Sequence, residues 1–421
     1  MLLSKKNILI IFSLIVISIS AQHKGRPNND SFPGSIGIES HIIPSDTLFN
    51  CFISFKIGFK NLVFIKEKGK YQSGISLTIE ISDQQKIVER IIKSSSTIVD
   101  DYDLTKSKSL FLEDVVSVKL AEGEYIFNPV ISIDNTDIEL KLKPINVLVD
   151  STSIFYPIVV YKDKVSINDT DLYRLVNSEN AIPYSSKDFD ILVPVFDQTI
   201  NSVDIEILQN DRIVIKNRFD VYESIRMKID SFDGKVVIDN DDSYASVRLF
   251  KIPYVNKMLK EGMADVKIVL GNNSEDYNIK VLWYNKPNSL RDPESAITML
   301  KLIGKKADAD ILLDENEEKY PQILSDYWNK FDKDTSTAFN EVYAEFYSRI
   351  DHANENFKHL GGIRGSFSDR GIIYIKYGDP DSIEREYNEN YDIVEIWEYK
   401  SVGKKIYFSD ITGTGDFKRI K

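Results

Sequence analysis

Leu120-Ala121-Glu122-Gly123-Glu124-Tyr125-Ile126-Phe127 is the stretch on which the fold turns. A leucine that packs inward, a glycine that permits a tight turn and a tyrosine whose hydroxyl reaches back to the turn backbone together make a corner between two strands. Strand patterns lie on both sides of it. Upstream, Ser76-Leu77-Thr78-Ile79-Glu80-Ile81 alternates with period two, as a half-buried strand does, and Phe52-Ile53-Ser54-Phe55-Lys56-Ile57 is a second β-rich run. Residues 87–92, 109–112 and 125–133 add further runs separated by turn residues. Strand follows strand without an amphipathic helix, which predicts a β-sandwich of about 100 residues.

The corner resembles that of immunoglobulin-like sandwiches, with an ordinary β-arch as the alternative. A second β-rich stretch spans residues 146–284, with candidate strands at 154–161, 191–196, 203–208, 213–215, 245–250, 266–270 and 279–284. Leu259-Lys260-Glu261-Gly262 echoes Leu120-Ala121-Glu122-Gly123, but Ala264 stands where Tyr125 does in the first copy, so the corner bond is missing there. Two tandem immunoglobulin-like β-sandwich domains are expected, at 45–145 and 146–285. The acidic cluster Asp239, Asp241 and Asp242 reads as a solvated turn rather than a calcium site, and no metal or cofactor is expected.

At 421 residues, with 42% apolar and 28% charged residues, the chain suits two to three folded domains. A formal charge of −12 argues against nucleic acid and anionic membrane surfaces as partners. The lone cysteine, Cys51, excludes an internal disulfide framework and a Cys-based zinc site. Lys5 and Lys6 precede a run at residues 8–19 that is apolar apart from Ser13 and Ser18, and the small residues Ser18, Ser20 and Ala21 offer a cleavage site. This predicts a signal peptide over 1–21, too short in its apolar part for the ~20 residues of a spanning helix. No cysteine follows it for lipid attachment, and no second long apolar run exists. The mature chain is therefore expected to be exported, periplasmic or at the cell surface, with no transmembrane segment after cleavage. Residues 22–44, punctuated by Pro27, Pro33, Gly34, Gly37 and Pro44, are expected to be a flexible leader.

After Trp283 the periodicity changes. Asp292 with Pro293 reads as a helix start, with Ala296, Ile297, Leu300 and Ile303 on one face, and Pro321 opens another helix. These predict a helical linker over 286–335. Phe339, Tyr343, Phe346, Ile350, Ala353 and Phe357 then form one apolar stripe on a helix from about Ser336. Ile373, Ile375 and Tyr377 alternate with their neighbours, as do residues 391–399 and 406–408, which predicts strands. The expected unit at 336–421 is a small α+β domain, an antiparallel sheet with the long helix packed on it.

Gly365-Ser366-Phe367-Ser368-Asp369-Arg370-Gly371, followed by Gly378-Asp379-Pro380-Asp381, resembles the signature of the GWxTD domain family: Gly-Trp-x-Thr-Asp, then Arg-Gly and Gly-x-Pro-Asp. Tyr347-Ser348-Arg349 and Ala353-Asn354-Glu355-Asn356-Phe357 match the family's preceding helix. Glu395-Ile396-Trp397-Glu398-Tyr399 and Phe408-Ser409-Asp410 match its closing strands. The resemblance covers residues 287–421. Two positions depart from it: Ser366 replaces the name-giving tryptophan and Ser368 replaces the threonine, keeping the hydroxyl. The resemblance implies an exported envelope protein with a β-rich N-terminal region, of a family with no established activity.

Asp369, Arg370, Asp379, Asp381, Trp397 and Asp410 are the candidate ligand-binding residues. In one reading Asp369 fixes the entry to a strand and Arg370 pairs with Asp379, Asp381 or Asp410. In the other, Arg370 clamps the anion of a carboxylate, glycan or peptide end. Ser366 or Ser368 with His352 or His359 supplies residue types for a nucleophile and base, but neither serine sits in a nucleophile elbow, and no catalytic residue is assigned. Gly413-Thr414-Gly415 lacks the lysine and helix of a phosphate loop. The expected function is a binding or scaffold module of the envelope with a protein partner and no catalysis. The alternative is a small-ligand, glycan-binding or hydrolytic C-terminal domain.

Overall fold

The computed structural model describes residues 36–45, 48–83, 86–107, 109–150, 154–271, 273–358, 362, 364–389 and 391–420. The predicted signal peptide, residues 22–35 and His359 lie outside them. The first sandwich is made of β1 (Ile36–Pro44), β2 (Phe49–Gly58), β3 (Ile65–Glu67), β4 (Lys70–Ser82), β5 (Ile87–Val99), β6 (Phe111–Leu120), β7 (Gly123–Ile133), β8 (Glu139–Lys141) and β9 (Ile145–Val149). Its inner sheet runs β1-β2-β6. In its outer sheet β4 pairs with β3, β5 and β7, and β7 pairs with β8 and β9. The alternation read at Ser76–Ile81 holds: Ile75, Leu77, Ile79 and Ile81 meet Cys51, Ile53, Phe55 and Ile57 in the core between the sheets. The corner is present, with the Tyr125 hydroxyl donating to Ala121 O at 3.2 Å.

Two boundaries differ from the sequence reading. Residues 36–44, expected in the flexible leader, form β1. Their period-two apolar pattern pairs with β2 from Ile36↔Ile57 to Pro44↔Phe49, and this outweighs the nearby prolines and glycines. Strand β9 pairs with β7 and carries the first sandwich past residue 145.

The second sandwich comprises β10 (Ile158–Tyr161), β11 (Val165–Ile167), β12 (Thr170–Arg174), β13 (Ile182–Pro183), β14 (Phe189–Val195), β15 (Ser202–Gln209), β16 (Arg212–Asp220), β17 (Glu223–Phe232), β18 (Lys235–Asn240), β19 (Ser246–Ile252), β20 (Gly262–Leu270) and β21 (Asn273–Leu282). A sheet in the order β10-β14-β19-β17-β18-β12-β11 faces one in the order β13-β21-β20-β15-β16. A bridge between Val160 of β10 and Leu175, just after β12, links the first strand of the larger sheet to its next-to-last. Asp241 and Asp242 are ordinary turn acids, paired with Lys228 and Arg226.

The sandwiches share a joint. Every residue of β2 is buried, because its two faces serve different cores. Its odd positions fill the first sandwich. On the other face, Phe52 packs with Ile43 and Val115 against Ile158, Val160, Leu192 and Met227 of the second. Burying a side chain as large as Phe52 contributes about 1.5–3 kcal/mol. The polar residues of the joint close on one loop, 176–180. Lys56 Nζ donates to Val176 O at 3.0 Å, Ser54 Oγ to Asn177 Oδ1 at 2.9 Å, and Asn177 Nδ2 to Phe55 O at 2.9 Å. Glu39 accepts the N–H groups of Ser178 and Asn180, at 3.1 and 2.7 Å, and contacts His41 Nε2. Burial pushes the Glu39 carboxyl up, but His41, the Asn180 N–H and Lys56 together hold it below the usual range. Glu113 bridges Lys56 and Arg174; burial raises its carboxyl and lowers the Lys56 ammonium. Such buried charges add little net stability, because their desolvation offsets their attraction.

The C-terminal part contains α1 (Pro293–Met299), α2 (Lys306–Leu313), α3 (Tyr320–Asn329), α4 (Glu341–Asn356) and α5 (Asp369–Tyr377), then β22 (Ser382–Tyr387), β23 (Ile393–Tyr399), β24 (Lys404–Asp410) and β25 (Lys418–Arg419) in one antiparallel sheet. Asp292 caps α1 as expected, accepting the Ser295 N–H at 3.1 Å. The segment expected to be a linker is instead part of a core. Leu290, Ala296, Ile297, Leu324 and Trp328 pack with Phe346, Tyr347 and Ile350 of α4. Tyr184, Trp283 and Phe339 join this core to the second sandwich, with ring centroids 5.1–5.6 Å apart. Tyr284 OH donates to Ser178 O at 2.9 Å, so the start of this part also holds the joint loop. No helix among the described residues is long and apolar enough to cross a membrane.

Candidate functional site

The signature residues form a helix start, not the strand start predicted for them. The β-branched run at Ile372, Ile373 and Ile375 favours a strand locally, but the cap decides otherwise. Ser368 Oγ accepts the Gly371 N–H at 3.0 Å and donates to Gly365 O at 2.7 Å, which opens α5. Ile373, Tyr374 and Ile375 are then buried on the helix. The glycines are required by proximity. A Cβ on Gly365 would sit 1.9 Å from Ala353 O of α4, and one on Gly371 would sit 1.9 Å from Gly365 O. Ser366, at the family's tryptophan position, is fully buried. Its N–H donates to Asn354 Oδ1 at 3.0 Å, and its hydroxyl has no partner among the described residues.

Arg370 pairs with none of Asp379, Asp381 and Asp410. Its partner is Glu395 of β23, at 3.1 Å. Arg385 binds the other oxygen of Glu395 through Nε and a terminal nitrogen, at 2.9 and 2.7 Å, and Trp397 Nε1 donates to Glu395 at 3.3 Å. Arg370 also donates to Gly415 O at 3.2 Å and lies 4.0 Å from the centre of the Phe417 ring. Glu395 was missed in the sequence reading. Its signal is a carboxylate on the inward phase of a strand, between Ile393 and Trp397, where an apolar residue is the rule.

The remaining candidates separate into two places. Asp410 adjoins the Arg370 network, accepting the Gly415 N–H at 2.8 Å and the Thr412 hydroxyl at 3.2 Å. Burial raises its carboxyl, but the N–H groups of Gly415, Thr414 and Gly413 with Thr412 hold it below the usual range. Asp369 accepts the Arg419 N–H at 2.7 Å and ties α5 to β25. Asp379 and Asp381 follow the far end of α5. Asp381 accepts the Lys400 N–H at 2.7 Å, and Asp379 bonds Tyr374, whose hydroxyl is pushed up to about 12, by burial first and by Asp379 second. His352 stacks on Tyr374 at 4.3 Å. Internal contacts therefore engage all six candidates.

A cleft of about 380 Å³ lies on the opposite side of α4, and none of the six lines it. Asp292 and Ser295 of the α1 start form one wall, Asp351, Asn354 and Glu355 of α4 another, and Arg364 a third, over Met299 and Ile350. Asn354 connects the cleft to the signature through its bond to Ser366.

No curated protein matches the chain. Among solved structures, it is similar to the titin Ig tandem domains, at 9% identity, covering 58% of this chain and 95% of that one, with a TM-score of 0.14. It is also similar to Dpr2 Ig1-Ig2 in complex with DIP-Theta Ig1-Ig3, at 8% identity, covering 56% and 72%, with a TM-score of 0.14. The sandwich description rests on the strand pairing given above. The capped turn at Ser368, the two glycine contacts and the Arg370–Glu395 pair all fall inside the match to one family model, and residues 269–414 are a GWxTD domain.

Proposed function

We propose that this chain is an exported binding or scaffold protein of the cell envelope, in which the sandwiches and the GWxTD domain present surfaces to a protein partner and catalyse no reaction. The joint at residues 176–180 carries this reading. The first sandwich grips that loop through Glu39, Ser54 and Lys56, the second supplies it, and Tyr284 holds it from the C-terminal side. Modules locked in this way present their outer faces at fixed spacing, which suits a scaffold. Export is supported by Lys5, Lys6 and the apolar run after them.

The test is in-cell photo-crosslinking from Ile92 and Ile98, which are exposed on β5, together with mass spectrometry of the mature N-terminus. The same envelope protein captured from both positions, on a chain cleaved near residue 21, supports the reading. A cytoplasmic, uncleaved chain, or no capture above background, overturns it.

A further inference from the structure

The cleft beside α4 holds charges of both signs, among them Arg364, Asp292 and Asp351, which form no ion pair among the described residues. Arg364 donates to Ser295 Oγ at 3.4 Å and has no carboxylate partner among the described residues. Asp292 accepts the Ser295 N–H, Asp351 accepts those of Asn288 and Ser289, and neither has a cationic partner among the described residues. These contacts fix the carboxylates in place while leaving lone pairs unused. Asn354 is fixed likewise: its Oδ1 takes the Ser366 N–H, and its side-chain N–H groups have no partner among the described residues. Met299 and Ile350 give the cleft a buried apolar floor. Its volume of about 380 Å³ lies near the lower end of small-molecule sites, which span about 300–1,000 Å³.

We propose that this cleft binds a small amino-carboxylate, a free amino acid or short peptide. The ligand's carboxylate lies at Arg364, its ammonium at Asp292 and Asp351, and, in a peptide, an amide carbonyl faces Asn354. Polar groups fixed before the ligand arrives lower the ordering cost of binding. The site differs from the one expected around Arg370, and the proposal does not rest on the scaffold reading.

Calorimetric titration of the purified full-length chain with tri-alanine tests it, beside the N-acetylated and C-amidated forms. Tri-alanine is expected to bind saturably, and each blocked form about 1.5- to fivefold more weakly, the range for one solvent-exposed charge contact. Arg364→Ala should remove the discrimination against the amide only. Asp292→Asn, which keeps a good cap, should weaken the discrimination against the acetylated form only, since Asp351 remains. Thermal melts of each variant check folding, with Arg364→Gln as the replacement if Arg364→Ala melts early. No saturable binding at millimolar tri-alanine, or equal affinity for blocked and free forms, overturns the proposal. Either result leaves the crosslinking outcome unaffected, so the two readings fail separately.

Discussion

Arg370 and Glu395 form the buried ion pair at the centre of the GWxTD domain, 3.1 Å apart, with the Glu395 side chain 2% exposed. Removing one member of such a pair costs more than the pair contributes, because the other is left charged and buried. Glu395→Ala strands Arg370 and should destabilise the domain by about 3–5 kcal/mol in urea denaturation. Arg370→Ala should cost less, since Arg385 still neutralises Glu395. Equal losses, or a Glu395→Ala loss under about 1 kcal/mol, would refute this role.

Gly365 should tolerate no side chain. Its Cβ would fall 1.9 Å from Ala353 O, backbone that cannot yield without moving α4. Gly365→Ala is expected to cost about 3 kcal/mol or more, in the range of severe overpacking. Gly413→Ala, at φ +65° with open space around it, should cost about 1 kcal/mol. Similar melting temperatures for the two variants would contradict the close-packing account.

Ser368→Ala removes the cap of α5 and should cost about 1 kcal/mol, while Ser368→Thr, which restores the family's residue, should cost little. Amide hydrogen exchange at Gly371 is the direct reading: faster in the alanine variant and unchanged in the threonine one. Equal exchange in both would count against the cap.

Asp410 sets an acid limb. Its carboxyl is held below the ordinary value by loop N–H groups, against the effect of burial. Its contribution is therefore fully present above the unfolded value of about 3.9 and is lost as pH falls through the lower folded value. Asp410→Asn should be less stable than the parent at pH 7, and the gap should close below about pH 4. A gap independent of pH from 7 to 2 would show that the charge is not what binds the loop.

The joint predicts cooperative melting. The two sandwiches should unfold in one calorimetric transition, because Phe52 and Lys56 of the first are buried against the second. Asn177→Gly keeps the backbone at φ +53° accessible but removes the bonds to Ser54 and Phe55. It should lower the transition or split it in two. Two separate transitions in the unmodified protein would show that the joint does not couple them.

Much of this architecture is legible in local pattern. The alternation at Ser76–Ile81, the Tyr125 corner and the Asp292 cap are each decided by neighbours in sequence, and each stands in the structure. What was misread depends on distant partners. Residues 372–375 look like a strand until Ser368 caps them and α4 covers them. The roles of Glu395 and Lys56 depend on Arg370 and Val176 O, which lie 25 and 120 residues away in sequence. Ser366 gave no hint of the cleft, because Asn354, the residue that joins them, is known only from the fold.

The two-faced strand β2 also sets an order of events during synthesis. Its odd residues find their core once β9 has been made, but the back of the strand, with Phe52 and Lys56, stays bare until residues 154–252 arrive. At about 5–20 residues per second, the roughly 100 residues between β9 and the end of β19 take on the order of 5–20 s. During that interval the first sandwich shows an apolar face with a cation in it. A nascent chain in this state calls for shielding by a chaperone or delayed folding, and a release of the chain before β19 is complete would leave a half-finished molecule prone to associate with its own kind.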